Sequence, residues 1–180
     1  MKKRLILVGN REDKVDRSEL VNSADFVCRF NRMNSFGLTG TKTDLLLVDT
    51  HNGFFELYDR EKYLDIVNKY VKKIVVVENN LSQKGLDLFS DNLIRTRETL
   101  TIDAVVSSFD SRLLDSGHKP TNAFVFLLYL LENRYQDEYD IFITNEDKNR
   151  HTGYDVHDGV ANLVEEWYSI LESNRLIQFI

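Results

Sequence analysis

Two short apolar runs near the start of the sequence each end in polar residues, and this pattern constrains the fold most. Residues 4–8 (RLILV) run into Gly-Asn, and residues 44–48 (DLLLV) run into Asp-Thr-His. Continuous apolar runs of this length predict strands covered on both faces, as in a parallel sheet. Ligands of open α/β sheets bind beyond the carboxyl ends of the strands. The candidate ligand-binding residues that follow such runs are Gly9, Asn10, Asn31 and His51.

Strand-like and helix-like segments alternate along the rest of the chain. The predicted strands cover residues 4–8, 25–31, 44–48, 73–78, 99–106, 139–144 and 176–180. Helical spacing of apolar residues predicts helices over 54–70, 121–135 and 158–172, with a short helical turn at 18–21. This alternation predicts a single α/β domain over residues 1–180, with a doubly wound, Rossmann-like, mostly parallel sheet flanked by helices.

Charge and composition narrow the classes of partner. A net charge of -6 over 180 residues gives no electrostatic footprint for nucleic acid. Cys28 is the only cysteine, so neither an intramolecular disulfide nor a multi-cysteine metal site is expected. No segment approaches the ~20 apolar residues of a membrane span. We expect a cytoplasmic protein. Peripheral association at the inner membrane face is left open, as is homo-oligomerisation through the aromatic residues of 54–70.

Three ordered pieces of the first forty-five residues, ILVGN, DFVCRFN and GTKTD, resemble the N-terminal nucleotide-binding motif of sialyltransferases. Two later pieces agree in order. PTNAFVFLLYLL is similar to the Pro-Ser/Thr-x-Gly segment that opens a helix in that family, and HDGVANLVEEW resembles its C-terminal His followed by a helix with Glu.

The resemblance implies an enzyme that binds a CMP-sugar, typically CMP-sialic acid, and transfers the sugar with inversion to a hydroxyl. The acceptor would be a glycan or a lipid-linked oligosaccharide, and neither a metal nor another cofactor would be used. By position in the motifs, Asn10 and Asn31 match the asparagines that contact the nucleotide, and His157 matches the residue that supplies the general base.

The residue types themselves suit glycosyl transfer from a nucleotide, which first requires recognition of base and ribose. An asparagine amide both donates and accepts hydrogen bonds, so Asn10 and Asn31 fit this task. His51, at the end of a predicted strand, is a candidate to face the same cleft, and the alternative is a position without a ligand role. The other interpretation is that Asn10 turns the chain after Gly9 and that Asn31 caps a loop.

The second requirement is stabilisation of negative charge on the departing phosphate. Helix N-termini and hydroxyls provide this without a metal. Thr121 and Asn122 open a predicted helix, and Tyr154 offers a further hydroxyl. Arg29 is a candidate contact to a phosphate or a sugar carboxylate. Three structural roles stay open: a helix cap for Thr121, cover for the core by Tyr154, and a salt bridge for Arg29.

The third requirement is a base for the acceptor hydroxyl, and histidine is the usual choice because its pKa lies near working pH. His157 precedes Asp158 and a predicted helix, so a carboxylate is near enough to orient it. A helix cap or a surface position is the alternative, and His151 is a rival base. A metal site built from both histidines with Asp155 and Asp158 is not expected, because their spacing does not fit one helix face.

Departures from the family motif motivate an alternative function. Charged residues 11–13 follow Gly9-Asn10, where the family usually has small residues, and Asn122-Ala123 replaces the expected Thr-Gly or Ser-Gly. The alternative is a catalytically degenerate nucleotide- or glycan-binding module of the same fold. A Rossmann dinucleotide site is not expected, because no second or third glycine follows Gly9 to form the pyrophosphate cradle.

Overall fold

The computed structural model describes residues 1–11, 14–49, 60–77, 98–100, 102–115, 120–145 and 158–180. The strands are β1 (Lys3–Val8), β2 (Phe26–Phe30), β3 (Leu45–Asp49), β4 (Ile74–Val77), β5 (Glu98–Leu100), β6 (Tyr139–Thr144) and β7 (Ile177–Phe179). The α-helices are α1 (Ser18–Asn22), α2 (Arg60–Tyr70), α3 (Ile102–Phe109), α4 (Arg112–Asp115), α5 (Asn122–Glu132) and α6 (Asp158–Ser173), and a 3-10 turn covers Tyr135–Asp137.

The strands form a single sheet in the order β5-β4-β3-β2-β1-β6-β7. Every pair of neighbours is parallel, and β1 lies between β2 and β6, with Leu5 opposite both Phe26 and Ile141. The predicted fold class is therefore confirmed. The chain leaves β1 in one direction toward β5 and returns on its other side at β6. This reversal of strand order creates a switch point between β1 and β6, where open α/β sheets bind ligands.

Alternate residues of the strands face opposite sides of the sheet, and both sides are covered. On one side, strand residues pack against helices α3 to α6; they include Leu5, Leu7, Cys28, Phe30, Ile141 and Ile143. On the other side, α1 covers Ile6, Val8 and Val27, and α2 covers Leu46, Val48, Ile74 and Val76. Cys28 is 0% exposed, and burial raises the pKa of its thiol well above the usual value, as expected of an inert core cysteine.

The predicted strands and helices agree with the structure to within a few residues at each end, except in one region. Residues 99–106 were predicted to be a strand, but β5 ends at Leu100 and α3 begins at Ile102. Val105 and Val106 are buried while Ala104 and Ser107 are exposed, which is the pattern of one helix face. The strand prediction was therefore wrong beyond Leu100. Residues 54–59 and 81–97 lie outside the described part of the chain.

Among the described residues, no helix is both long enough and apolar enough to cross a membrane.

Helix α6 is attached to the α3–α4 corner by a polar contact in an apolar setting. The Trp167 Nε1–H donates to Asp110 Oδ2 at 3.1 Å, and the Trp167 ring packs edge-on against Phe109. The guanidinium of Arg112 donates to both oxygens of Asp110, at 2.9 and 2.6 Å. These hydrogen bonds, from Arg112 above all and then from Trp167, lower the pKa of Asp110 to about 2.

We expect Asp110→Asn to lower the free energy of unfolding by roughly 1–2 kcal/mol at pH 7, because the charged hydrogen bonds are weakened while Arg112 stays exposed and solvated. The folded-state pKa of about 2 lies below the unfolded value of about 3.9, so this contribution is complete above roughly pH 5 and is lost as the pH falls toward 2. Urea unfolding of both proteins between pH 7 and pH 3 measures it. A difference that stays constant with pH would contradict the prediction; Asp137→Asn, in an exposed ion pair with Arg134, is the control.

Candidate ligand-binding site at the carboxyl edge of the sheet

The loop that follows β1 is fixed to the end of β6, across the switch point of the sheet. The Gly9 amide donates to the Thr144 carbonyl at 2.8 Å, and the Arg11 amide donates to the Asn145 carbonyl at 2.9 Å. Asn10 lies between these two attachments. The residue that sequence reasoning singled out after the first strand thus lies in a short segment held on both sides.

Asn145 contributes its side chain as well as its backbone, and sequence reasoning did not identify it. Its Nδ2 donates to the Arg11 carbonyl at 3.1 Å, and its Oδ1 accepts from the Thr144 hydroxyl at 2.9 Å. Asn145 is only 7% exposed and has a φ of 56°. One signal could have found it: it directly follows a strand, as Asn31 does.

The side-chain oxygen of Asn10 is an unsatisfied acceptor. Asn10 Oδ1 is buried and accepts no hydrogen bond within the part of the chain that the structure describes, although the residue as a whole is only half-buried. A buried acceptor left without a donor costs about 1–3 kcal/mol. Such groups are rare in native proteins, and explanations include a catalytic role or a bound water or ion.

The loop after β2 approaches the same segment. Asn34 Nδ2 donates to the Asn10 carbonyl at 3.1 Å, so the loops after β1 and β2 are in direct contact. Asn31 opens this second loop with a φ of 37°, a left-handed conformation that asparagine tolerates better than most residues. Its amide donates to the Leu47 carbonyl at 2.8 Å, and its carbonyl accepts from the Tyr63 hydroxyl at 2.9 Å.

Arg29 was a predicted ligand contact, and the structure places it elsewhere. Its side chain is 0% exposed and lies beneath the loop after β2. The guanidinium donates to the carbonyls of Thr39, Gly40 and Lys42 and to the hydroxyls of Thr39 and Thr43, at 2.6–3.2 Å. It makes no ion pair with the described residues, so the salt bridge considered as the alternative is absent there too.

Within the part of the chain that the structure describes, the Arg29 guanidinium thus donates to neutral oxygens and to no carboxylate. Burial lowers the pKa of Arg29 to about 10, which leaves the group protonated at neutral pH. The Phe36 ring adds a cation–π contact, with its centroid 5.4 Å from the guanidinium carbon. Arg29 thus joins β2 to the far end of the loop and holds that loop in one conformation.

The GTKTD segment, which carries the sequence resemblance, closes the same loop. Gly40 has a φ of 72°, and a Cβ there would lie 2.4 Å from Asn22 Oδ1. Lys42 Nζ donates to the Ala24 carbonyl, and Asp44 accepts from the Val27 amide at 2.9 Å. These contacts support the loop from below, and none of them needs a ligand.

The other predicted site residues divide into two groups. Thr121 and Asn122 are described: the Thr121 hydroxyl caps α5 by accepting from the Phe124 amide at 3.3 Å, and both residues are half-buried. Because α5 leads into β6 at its C-terminal end, its N-terminus lies on the side where the strands end. The second group, His51, Tyr154 and His157, lies outside the described residues.

The arrangement suits recognition of a polar, neutral-to-anionic ligand by amides and hydroxyls. The described residues contain no group of three His, Cys, Asp or Glu side chains suited to a metal ion. Two cationic residues, Arg11 and Arg32, directly follow Asn10 and Asn31 along the chain. The loops after β1 and β2 thus each carry an asparagine followed by an arginine at this edge of the sheet.

No family model and no curated protein sequence matches this chain. Solved structures do match it over nearly its whole length. The sialyltransferase CstII from Campylobacter jejuni, in complex with the substrate analogue cytidine-5'-monophosphate, aligns with a TM-score of 0.55 and 17% identity, covering 98% of this chain and 78% of CstII. The monofunctional alpha-2,3-sialyltransferase Cst-I from Campylobacter jejuni aligns with a TM-score of 0.60 and 15% identity, covering 99% of this chain and 74% of Cst-I.

A third structure, CstII in complex with a trisaccharide acceptor and CMP, aligns with a TM-score of 0.55 and 16% identity over 98% of this chain and 79% of that chain. At such low identity the likeness concerns the fold. This chain has the fold that sialyltransferases of Campylobacter jejuni use, as the motifs at its N-terminus suggested.

Proposed function

We propose that this protein is a glycosyltransferase that takes a sugar, sialic acid, from a CMP-sugar and transfers it with inversion to a hydroxyl of a glycan. The observation that carries the proposal is the unsatisfied Asn10 Oδ1 at the switch point of a sheet whose fold is shared with CMP-bound sialyltransferases. A nucleotide offers suitable donors, because ribose hydroxyls and the cytosine amine both carry hydrogens that an asparagine oxygen accepts.

Asn10 and Asn31 would hold the nucleoside from the loops after β1 and β2, with Gly9 allowing its close approach and His51 facing the same cleft. The contact between Asn34 and the Asn10 carbonyl supports this assignment, since it brings the two loops together at one edge. Each amide offers both donors and acceptors, as recognition of a neutral sugar and base requires.

The phosphate would lie near the N-terminus of α5. Thr121 and Asn122 form this end of the helix, where unpaired amides and the helix dipole favour negative charge. Tyr154 is proposed to donate a hydroxyl to the same phosphate. Stabilisation of the departing CMP by such donors is a form of electrostatic catalysis that suits a leaving group with growing negative charge.

His157 is proposed as the general base. It directly precedes α6, and α6 leads into β7 at its C-terminal end, so the helix starts on the side of the sheet where the strands end. In the reaction, the base takes the proton of the acceptor hydroxyl. The freed oxygen then forms a bond to the anomeric carbon of the sugar, and the bond from that carbon to the CMP phosphate breaks.

A binding module without catalysis is the second candidate function. It is favoured by the charged residues 11–13 and by Asn122-Ala123, which depart from the motif where the family places small residues. Incubation with CMP-sialic acid separates the two candidates, since an enzyme releases CMP, slowly even without an acceptor. Thermal shifts with CMP, UDP, GDP and NAD test the nucleotide. Stabilisation by none of them, together with no release of CMP, would reject the enzyme and the nucleotide-binding module.

We expect Asn10→Ala to weaken CMP binding about tenfold, because a donor of the bound nucleotide would lose its acceptor, at a cost of about 1–3 kcal/mol. The ligand-free variant should melt at the same temperature as the wild type or higher, since an unsatisfied acceptor is removed. Calorimetric titration with CMP and thermal melting measure the two effects. Asn133→Ala, an exposed asparagine after α5, is the matched control. Unchanged CMP affinity in Asn10→Ala would contradict the assignment.

A further inference from the structure

The structure contains a second asparagine at the switch point whose bonds all go to the protein rather than to solvent. We propose that Asn145 is a positioning residue, which fixes the backbone around Asn10 so that Asn10 meets the nucleotide in one orientation. The inference rests on the proposed function for its consequence, CMP affinity. The hydrogen-bonded arrangement from which it starts is independent of any ligand.

Asn145 joins the end of β6 to the loop after β1 by two hydrogen bonds to Arg11, and it makes a third to Thr144. It accepts from the Arg11 amide through its carbonyl at 2.9 Å and returns a hydrogen bond from Nδ2 to the Arg11 carbonyl at 3.1 Å. Its Oδ1 accepts from the Thr144 hydroxyl at 2.9 Å, which fixes the orientation of the amide. Both polar groups of the Arg11 backbone are thus bound by a single residue.

The backbone of Asn145 indicates that its side chain matters. A φ of 56° lies in the left-handed region, which carries a conformational cost for a residue with a side chain, smaller for asparagine than for most residues. Glycine would adopt this conformation without that cost. The bonds from the Asn145 amide offset the strain, and only a side chain that carries both a donor and an acceptor makes them.

The consequence for Asn10 follows from its place in the chain. The Gly9 amide is bound to the Thr144 carbonyl, the Asn10 carbonyl is bound by Asn34, and Arg11 is bound by Asn145. With its backbone fixed on each side, Asn10 needs little further ordering when a ligand binds. Preorganisation of this kind raises affinity by lowering the entropy cost of binding.

Asn145→Gly tests the inference, because glycine keeps the left-handed backbone and removes only the side chain. Arg175→Gly is the matched control: it has the same φ of 56°, is exposed, and lies between α6 and β7, at the opposite edge of the sheet. Asn145→Asp keeps the acceptor for Thr144 and loses the donor to Arg11. We expect it to behave like Asn145→Gly.

Two measurements decide. Hydrogen exchange of the Arg11 amide should accelerate about tenfold in Asn145→Gly and not in Arg175→Gly: the backbone bond from this amide to the residue 145 carbonyl is kept, but loss of the bond from Nδ2 to the Arg11 carbonyl lets the loop open more often. Calorimetric titration should show CMP affinity about tenfold lower in Asn145→Gly and unchanged in the control. In an Asn10→Ala background, Asn145→Gly should have no further effect on CMP affinity, because it acts through Asn10.

The outcomes are distinguishable. Arg11 exchange that is equal in Asn145→Gly and Arg175→Gly would overturn the inference, whether or not CMP binds. Additive effects of Asn10→Ala and Asn145→Gly on CMP affinity would overturn the positioning role, since a general loss of structure adds to the loss of a contact. A wild-type protein that does not bind CMP would reject the proposed function, and the exchange rates would still decide whether Asn145 orders the loop.

Discussion

Replacement of Arg29 by alanine is expected to lower the free energy of unfolding by about 4 kcal/mol. The variant would leave the carbonyls of Thr39, Gly40 and Lys42 and two hydroxyls without their donors, in a region from which water is excluded. Each unsatisfied neutral group costs about 1–3 kcal/mol, partly recovered as the loop relaxes. For a chain of this size the melting temperature should fall by roughly 8–16 °C.

Arg4→Ala is the matched control for this prediction. Arg4 lies on the neighbouring strand β1 and donates to the carbonyl and the hydroxyl of Ser23, but at an exposed position where water replaces the lost donors. We expect a change below about 1 kcal/mol. Thermal melting and urea unfolding of both variants measure the difference. Equal, small losses of unfolding free energy in the two variants would show that the hydrogen bonds of Arg29 contribute little to stability.

Replacement of His157 by alanine is expected to lower kcat for sugar transfer by about 10²–10⁴-fold, the usual contribution of a general base. CMP affinity should stay within about twofold of the wild type, because the proposed base would contact the acceptor hydroxyl rather than the nucleotide. Transfer from CMP-sialic acid to a glycan, with calorimetric titration of CMP, measures both quantities.

Two further histidines provide the comparison for His157. His151→Ala tests the rival base, and His118→Ala is the control that should keep full activity. A large loss of kcat in His151→Ala together with normal activity in His157→Ala would assign the base to His151. Transfer that is unaffected by all three substitutions would contradict both His157 and His151 as the base.

The order of strands and helices could be predicted from the sequence because it follows from local patterns. The apolar runs in β1, β3, β4 and β6 and the apolar helix α5 carry their own signal. The segment 99–106 misled because β5 is three residues long and the helix α3 follows after a single residue, so one apolar stretch contained two elements. The length of the strand would have separated the two elements, but residue types do not show where a strand ends.

The site could be predicted only in part, because several of its residues bind partners that are distant in sequence. The position of Gly9, Asn10 and Asn31 at the carboxyl ends of strands could be predicted because a polar residue directly after a buried strand is a local signal. Arg29 was assigned to a ligand because the sequence cannot show that carbonyls ten or more residues away come within its reach. Asn145 was missed for the same reason: its partner Arg11 is 134 residues distant in sequence.

The place of β1 in the sheet has a consequence during synthesis. One edge of β1 can pair with β2 soon after both strands leave the ribosome. Its other edge pairs with β6, so the position beside Leu5 stays empty until Ile141 has been synthesised. At ribosomal rates this delay is on the order of ten seconds. A row of backbone amides and carbonyls beside Leu5 and Leu7 stays unpaired meanwhile, and such an edge is a template for joining another chain. The nascent polypeptide is therefore most prone to aggregate before residue 139 leaves the ribosome.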